Sequence, residues 1–149
     1  MTSDARPGRI PNLPRWMPIG DEPELCNAGQ WWDAVRINEA EGRRAIELLR
    51  AAGVDIGPVI LDAGGREPRL YFLVPVGTAA AWHEADTVPL GQGCHVVVPP
   101  STRAGPPGLH WQHFPHFRQR LTQSDPLRHA LAKARREAAA GRTDTGPGS

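Results

Sequence analysis

The sequence predicts one α+β domain, in which a mixed or antiparallel sheet of four or five strands is flanked by helices. Two observations lead to this prediction. The run from Asp33 to Asn38 has the alternating pattern of a half-buried strand, and a segment with helical spacing follows it. Three later apolar runs, each bounded by Gly or Pro, are typical of further strands.

The first helix is predicted over residues 39–52. Glu39 and Glu41 lie in its first turn and Arg50 in its last, which suits the helix dipole, and Gly53 can end it as a C-terminal cap. A second helix is predicted over residues 125–139. It begins at Ser124-Asp125-Pro126, a capping residue followed by proline in the first turn.

The remaining elements are short. Residues 58–61 and 70–74 flank a turn at 62–65 and predict a hairpin. Thr78 can cap a short helix that runs to Trp82. Cys94–Val98 predicts a strand of the same sheet, and residues 109–111 a short edge strand. The chain has 149 residues, which suits a single domain; we expect a flexible segment 1–24, a domain over 25–140 and a disordered tail over 141–149.

Composition excludes several classes of protein. The 17 basic and 16 acidic residues leave a net charge of +1, so no global field attracts nucleic acid or lipid. Basic residues concentrate after residue 100, which indicates either a solvated helix or a phosphate-binding face; they are Arg103, Arg118, Arg120, Arg128, Lys133, Arg135, Arg136 and Arg142. No apolar run approaches a membrane span, so we expect a cytoplasmic protein without a membrane partner. Cys26 and Cys94 match no metal spacing and suit a reducing compartment.

Motifs for catalysis are missing. His110, His113 and His116 are spaced three apart, but aromatic residues and Pro115 surround them, which favours packing over a metal site. Cys94 and His95 are neighbours on a predicted strand, where their side chains point to opposite faces. Nucleophile-elbow and nucleotide-loop patterns are also absent, so we predict no cofactor, no metal and no catalytic residue.

The most distinctive segments are Leu70-Tyr71-Phe72, Gly91-Gln92-Gly93-Cys94-His95-Val96-Val97-Val98-Pro99-Pro100-Ser101 and His110-Trp111. In this order they resemble the second half of the bifunctional primase/polymerase N-terminal domain, a branch of the archaeo-eukaryotic primases. The likeness covers about residues 30–112. The chain also resembles short actinobacterial proteins with a Trp-Asp-Ala-Val-Arg strand. The resemblance implies a shortened primase/polymerase-like fold, with Cys94–Val98 in its sheet.

The family's metal-binding carboxylates are not present in this chain. The resemblance places Arg36 and Asn38 at the positions of the family's Asp-x-Asp pair, and neither side chain can replace a carboxylate at a divalent ion. The third carboxylate falls near Val88, two residues from Asp86. Arg69 replaces a histidine that contacts phosphate in the family. The resemblance therefore implies a catalytically inactive module.

We predict that this module binds a nucleotide or single-stranded nucleic acid. The predicted binding residues are Arg36, Asn38, Arg69, Ser101, Arg103, His110 and Trp111. Arg36, Arg69 and Arg103 are expected to form a cationic cleft for a phosphate. Two alternatives stay open: a protein-interaction domain with no ligand, or a residual primase/polymerase. At single residues, Trp111 can pack in the core instead of stacking on a base, and Arg36 can pair with Asp33, Glu39 or Asp62.

Overall fold

The computed structural model describes residues 13–115 and 121–144. It confirms the α+β class, with seven strands, two α-helices and a 3-10 helix over Ala79–Ala81 in the described ranges. The strands are β1 (Glu24–Asn27), β2 (Asp33–Asn38), β3 (Val59–Asp62), β4 (Arg69–Val74), β5 (Thr87–Leu90), β6 (His95–Val98) and β7 (His110–His113). The helices are α1 (Glu39–Ala51) and α2 (Ser124–Asp144).

Five of the strands form an antiparallel sheet in the order β5-β2-β4-β3-β7. The predicted hairpin is present as β3 and β4, in which Leu61 is the partner of Leu70. The predicted edge strand is present as β7, next to β3. The sheet alternates strictly: Val35, Ile37 and Phe72 face the helices, and Ala34 and Leu73 face the opposite side.

Both helices cover one face of this sheet. Their apolar side chains pack against the strands, and Leu49, Leu127 and Leu131 are almost completely buried. The helices run antiparallel, because Ala51 at the end of α1 lines one pocket with Asp125 at the start of α2, whereas Glu41 in the first turn of α1 lies 3.8 Å from Arg135. Gly53 ends α1 as predicted: its φ is +73°, and its amide donates to the carbonyl of residue 50.

The prediction that Cys94–Val98 belongs to the main sheet is wrong. Strand β6 pairs with β1 in a separate antiparallel sheet of two strands, with Leu25 opposite Val97. Val96 and Val98 are buried in a second core with Trp32. This small sheet lies against the other face of the five-stranded sheet, so the domain has three layers. A requirement of the primase/polymerase resemblance is therefore not met.

The turn before the 3-10 helix is held differently from the prediction. Thr78 makes no side-chain capping bond there. Asp33, at the start of β2, instead accepts through Oδ2 from the amides of Gly77 and Ala79, both at 2.9 Å. A buried carboxylate from a distant strand thus takes the place of the local threonine.

The folded part extends beyond both predicted boundaries. Of the segment 1–24, residues 13–24 are described; Met17 is buried, and the Trp16 ring packs edge-on to the Trp32 ring at 5.9 Å. Helix α2 continues past residue 140 to Asp144. Residues 1–12, 116–120 and 145–149 lie outside the described ranges, and with them His116, Arg118 and Arg120.

Candidate functional site

One corner of the five-stranded sheet is left uncovered by the small sheet. Arg36 on β2 has Tyr71 on β4 and Val88 on β5 as its cross-strand partners. Arg69 lies two residues from Tyr71 on the same face. We call Arg36, Arg69, Tyr71 and Val88 the open corner. Its two arginines are diagonal neighbours on adjacent strands, an arrangement that places residues about 7–8 Å apart, with a somewhat shorter distance between their Cβ atoms. The first two predicted cations are thus brought together.

Neither guanidinium group of the open corner has a protein partner among the described residues. Arg36 and Arg69 are both partly buried, yet they form no ion pair and no side-chain hydrogen bond in the described ranges. A guanidinium group without a protein partner keeps its hydrogen-bond donors available for an anion. The open corner therefore has unused capacity for an anion.

The three carboxylates that could neutralise Arg36 are engaged elsewhere. Asp33 Oδ2 accepts from the amides of Gly77 and Ala79. Glu39 pairs with Arg43 at 2.7 Å, in the next turn of α1. Asp62 accepts from the Gly64 amide within its own turn at 3.1 Å. The local-neutralisation alternative for Arg36 has no contact to support it in the described part of the chain.

Tyr71 gives the open corner an aromatic surface between its two arginines. Tyr71 is partly buried and packs against the core under the small sheet, while its neighbours Leu70 and Phe72 are fully buried on the helix side. Aromatic rings and guanidinium planes on a sheet surface are the groups on which proteins stack unpaired bases. Tyr71 belongs to the Leu70-Tyr71-Phe72 motif but is not among the predicted binding residues, because only the strand register shows which sheet face its side chain occupies.

Asn38 lies at the edge of the open corner, and its side chain caps helix α1. It is the cross-strand partner of Arg69 and the last residue of β2. Its Oδ1 accepts from the Glu41 amide at 2.9 Å, so that it caps α1. Arg69, by contrast, is left with its side chain available.

Ser101 and Arg103 follow β6 and lie beyond the far edge of the sheet. The carbonyl of Arg103 accepts from the Trp111 amide at 2.9 Å, which sets it alongside β7. Arg103 lies four strand spacings away from Arg36 across the sheet, which corresponds to about 19 Å between the two backbones. By backbone position, Arg103 is not part of the open corner.

His110 and Trp111 are both buried. The His110 ring is 5% exposed and lies with Nδ1 2.8 Å from the Gly108 carbonyl, which assigns the ring proton to Nδ1. The Trp111 ring is 2% exposed, donates from Nε1 to the Pro100 carbonyl and packs against Trp16. Neither ring is accessible to a base in this structure.

Beside the open corner, a polar cleft of about 800 Å³ lies between the start of α1, the end of α2 and the segment before β5. Two acidic residues, Glu41 and Asp86, and two arginines, Arg44 and Arg135, are among its lining residues. Burial raises the pKa of the Glu41 carboxyl; Arg135, at 3.8 Å, opposes the rise and Asp86 adds to it. The negative charges in the cleft are thus already balanced by arginines that line the same cleft.

The described residues include no group of three His, Cys, Asp or Glu side chains placed to hold a metal ion. Cys26 and Cys94 are both free thiols, and burial, with a smaller contribution from Glu24, raises the pKa of Cys26. No helix in the described ranges is both long and apolar enough to span a bilayer.

Comparison of the chain with protein-family models, with curated proteins and with solved structures gave no match.

Proposed function

We propose that this domain is a non-catalytic binding module that holds a phosphate-bearing ligand, either a nucleotide or single-stranded nucleic acid, on the open corner. The observation that carries the proposal is that Arg36 and Arg69, two partly buried residues on one sheet face, have no ion pair and no side-chain hydrogen bond to any residue that the structure describes. Guanidinium groups bind phosphate oxygens through charge-assisted, often bidentate hydrogen bonds. Tyr71 between them offers a ring to an attached base.

The proposal does not depend on the primase/polymerase resemblance. That resemblance pointed to Arg36 and Arg69 but also to His110 and Trp111, which are buried. What supports binding is the surface itself: two guanidinium groups that form no ion pair within the described ranges, beside an aromatic ring, although Asp62 is the cross-strand partner of Arg69. An inactive primase/polymerase-like origin stays a hypothesis for this chain, and one of its structural requirements, a main-sheet position for β6, is unmet.

The test is a titration of labelled single-stranded oligothymidylate, a nucleoside triphosphate and inorganic phosphate against the full chain. If the two arginines neutralise two phosphates of the oligonucleotide, its affinity should fall about sevenfold between about 50 and 200 mM salt. Arg36→Ala and Arg69→Ala should each weaken binding by about tenfold, because each removes charge-assisted hydrogen bonds. Comparing the three ligands separates recognition of a strand from recognition of a nucleotide.

Arg136→Ala is the matched control, since it removes the same charge from an exposed position on α2. It should leave the affinity close to that of the wild type. Equal affinities for wild type and Arg36→Ala, or no saturable binding of any of the three ligands, would overturn the proposal.

A module of this kind should not synthesise nucleic acid. Arg36 and Asn38 are a cation and a helix cap, and neither offers a carboxylate to Mg²⁺. Incubation with a primed template, nucleoside triphosphates and Mg²⁺ should give no extension product. Extension that disappears on Asn38→Ala would support the residual primase/polymerase instead.

A protein-interaction domain is the second candidate, and one observation favours it. Leu25 and Val97 are cross-strand partners on the outer side of the small sheet, exposed by 66% and 45%. Adjacent exposed apolar side chains are a common feature of protein interfaces. Should the phosphate titrations fail, Leu25→Ser with Val97→Ser becomes the informative variant, to be compared with wild type for self-association by light scattering.

A further inference from the structure

A groove of about 570 Å³ lies between the end of α1 and the start of α2. It is at the opposite end of the two helices from the polar cleft, which lies between the start of α1 and the end of α2. Alanines on both sides leave the space open, namely Ala51, Ala52 and Ala130. A groove of this volume is large enough for a small molecule.

The surface of the groove is mostly apolar. Leu49 and Ala130 are buried in its floor, and Leu48 and Val54 pack against the same core beside them. The carbonyls of residues 48, 49 and 50 need no donor from a ligand, because each already accepts from a backbone amide just after the helix. The α1 side of the groove therefore offers a ligand apolar contact.

The titratable side chains that line the groove are all on α2, and one of them is acidic. Asp125 is paired with Arg128 three residues later, so its charge is already balanced. His129 is exposed and lies one helical turn after Asp125, on the face of α2 that carries Ala130 and Lys133. No unpaired acid therefore lines the groove among the described residues.

Lys133 is the basic residue of the groove, and its ammonium group has no partner. It is exposed, and it forms no ion pair and no hydrogen bond with any residue that the structure describes. Glu137, one turn further along α2, is paired with Arg44 instead. The long and flexible lysine side chain can bring its positive charge to the mouth of an apolar groove.

We infer that this groove binds an amphipathic carboxylate, whose apolar chain lies on the groove floor and whose carboxylate accepts hydrogen bonds from Lys133. The apolar floor and the unpaired positive charge at its mouth complement the two parts of such a molecule. An amphipathic amine does not fit, since its ammonium group would be repelled by Lys133 and would compete with Arg128 for Asp125. A medium-chain fatty acid has the required chemistry.

This carboxylate site is separate from the open corner. The groove is in the helix layer, whereas Arg36 and Arg69 lie on the sheet face that the helices do not cover. Phosphate titrations at the open corner and carboxylate titrations at the groove can therefore succeed or fail independently.

The experiment is a titration of the ¹⁵N-labelled full chain with sodium octanoate, below the concentration at which octanoate forms micelles. The backbone amide signals of Ala51, Ala52 and Ala130 should move along a saturable curve. Butanoate, which has half as many carbon atoms, should bind by about tenfold or more weaker, because it buries less apolar surface. Octylammonium chloride should bind about fivefold more weakly than octanoate, because its charge has the wrong sign for Lys133. The site is overturned if these amides show no saturable shift, or if butanoate or octylammonium binds as tightly as octanoate.

Reversal of one charge tests the head group. Lys133→Glu should lower octanoate affinity by about fivefold and raise octylammonium affinity, since an attraction is replaced by a repulsion. Arg66→Glu is the matched control: it makes the same change of charge at an exposed position between β3 and β4, outside the groove, and should leave both affinities unchanged. Equal octanoate affinity in Lys133→Glu and wild type overturns the proposal. If Lys133→Glu does not fold, Lys133→Gln replaces it with an expected loss of about twofold, and the absence of any loss has the same meaning.

Discussion

The side chain of Asn38 caps helix α1 by accepting a hydrogen bond at Oδ1 from the amide of Glu41, at 2.9 Å. The Nδ2 of Asn38 lies 3.4 Å from Glu41 Oε1, so the two side chains also face one another. One residue thus ends β2 and starts α1. Its place in the fold explains an asparagine here without reference to any metal site.

Replacing Asn38 by alanine should therefore lower stability without weakening ligand binding. Loss of a capping oxygen costs about 1 kcal/mol, within a range of about 0.5–2 kcal/mol. Asn38→Ser, which keeps an acceptor, should be close to wild type. Urea unfolding measures both, and oligothymidylate titration should give equal affinities for the folded variants. A large loss of oligothymidylate affinity in Asn38→Ser, with normal stability, would show that Asn38 contacts the ligand.

The raised pKa of Glu41 should appear in the pH dependence of stability. A carboxyl group with a higher pKa in the folded chain binds more protons when folded, so its contribution to stability falls as pH rises through the ordinary and then the raised pKa. The Glu41→Gln side chain cannot ionise, so the variant does not lose this part of the free energy of unfolding as pH rises. The melting temperature of Glu41→Gln relative to wild type should increase between about pH 3.5 and pH 7, a range that begins below the ordinary Glu pKa.

Glu137 is the internal control for this experiment. A hydrogen bond from Arg44 lowers the pKa of the Glu137 carboxyl, so the sign is reversed: its contribution is present above the ordinary pKa and is lost as pH falls. The melting temperature of Glu137→Gln relative to wild type should move in the opposite direction from that of Glu41→Gln. Parallel trends in the two variants would contradict the assignment of the Glu41 shift to burial.

Gly42→Ala should destabilise the domain, although alanine favours helices. At an exposed helix position the exchange gains about 1 kcal/mol. Here a Cβ would lie 2.5 Å from Leu70 Cδ1 and 3.2 Å from its Cγ, and Leu70 is fully buried. Overpacking of this kind costs about 1–3 kcal/mol. In a double-mutant cycle measured by urea unfolding, Leu70→Val should recover part of the lost stability. A Gly42→Ala variant more stable than wild type would show that the Leu70 side chain can move to make room for the added Cβ.

Local signals in the sequence predicted most of the elements. Strand β2, helix α1 and its end at Gly53 follow from periodicity and capping residues close by in the chain, and the structure contains all three. The sheet to which a strand belongs is not a local property. The apolar run of β6 suits either sheet, and its pairing with β1 is decided by contacts between segments about 70 residues apart.

The candidate site shows the same limit. The family resemblance predicted that Arg36 and Arg69 lie on one sheet face, but the burial of Trp111 depends on Trp16, which packs on it from a segment about 95 residues away in the chain. The role of Asp33 was missed for a similar reason. The amides that it accepts lie 44 and 46 residues away, so a polar residue opening an apolar strand was the only local signal.

Thr122 provides a further test of such long-range contacts. Its Oγ1 accepts from the Gly57 amide at 2.8 Å, and both residues are buried. Thr122→Val keeps the shape but leaves this amide without a partner, which should cost about 1–3 kcal/mol. Thr122→Ser keeps the acceptor and should lose less. Equal stability of the two variants, measured by urea unfolding, would mean that the Gly57 amide finds another acceptor.

Tyr71 separates base recognition from phosphate recognition at the open corner. Stacking of a base on an aromatic ring contributes about 1–3 kcal/mol, so Tyr71→Leu should weaken oligothymidylate binding by about tenfold or more. Tyr71→Phe keeps the ring and should bind within about twofold of wild type. Inorganic phosphate has no base, and its affinity should be the same in all three proteins because Arg36 and Arg69 are unchanged. Fluorescence anisotropy for the oligonucleotide and calorimetry for phosphate give the two measurements. Equal oligonucleotide affinity in Tyr71→Leu and wild type would mean that the ligand is held by its phosphates alone; a parallel loss of phosphate affinity in Tyr71→Leu would instead show that the ring positions the arginines.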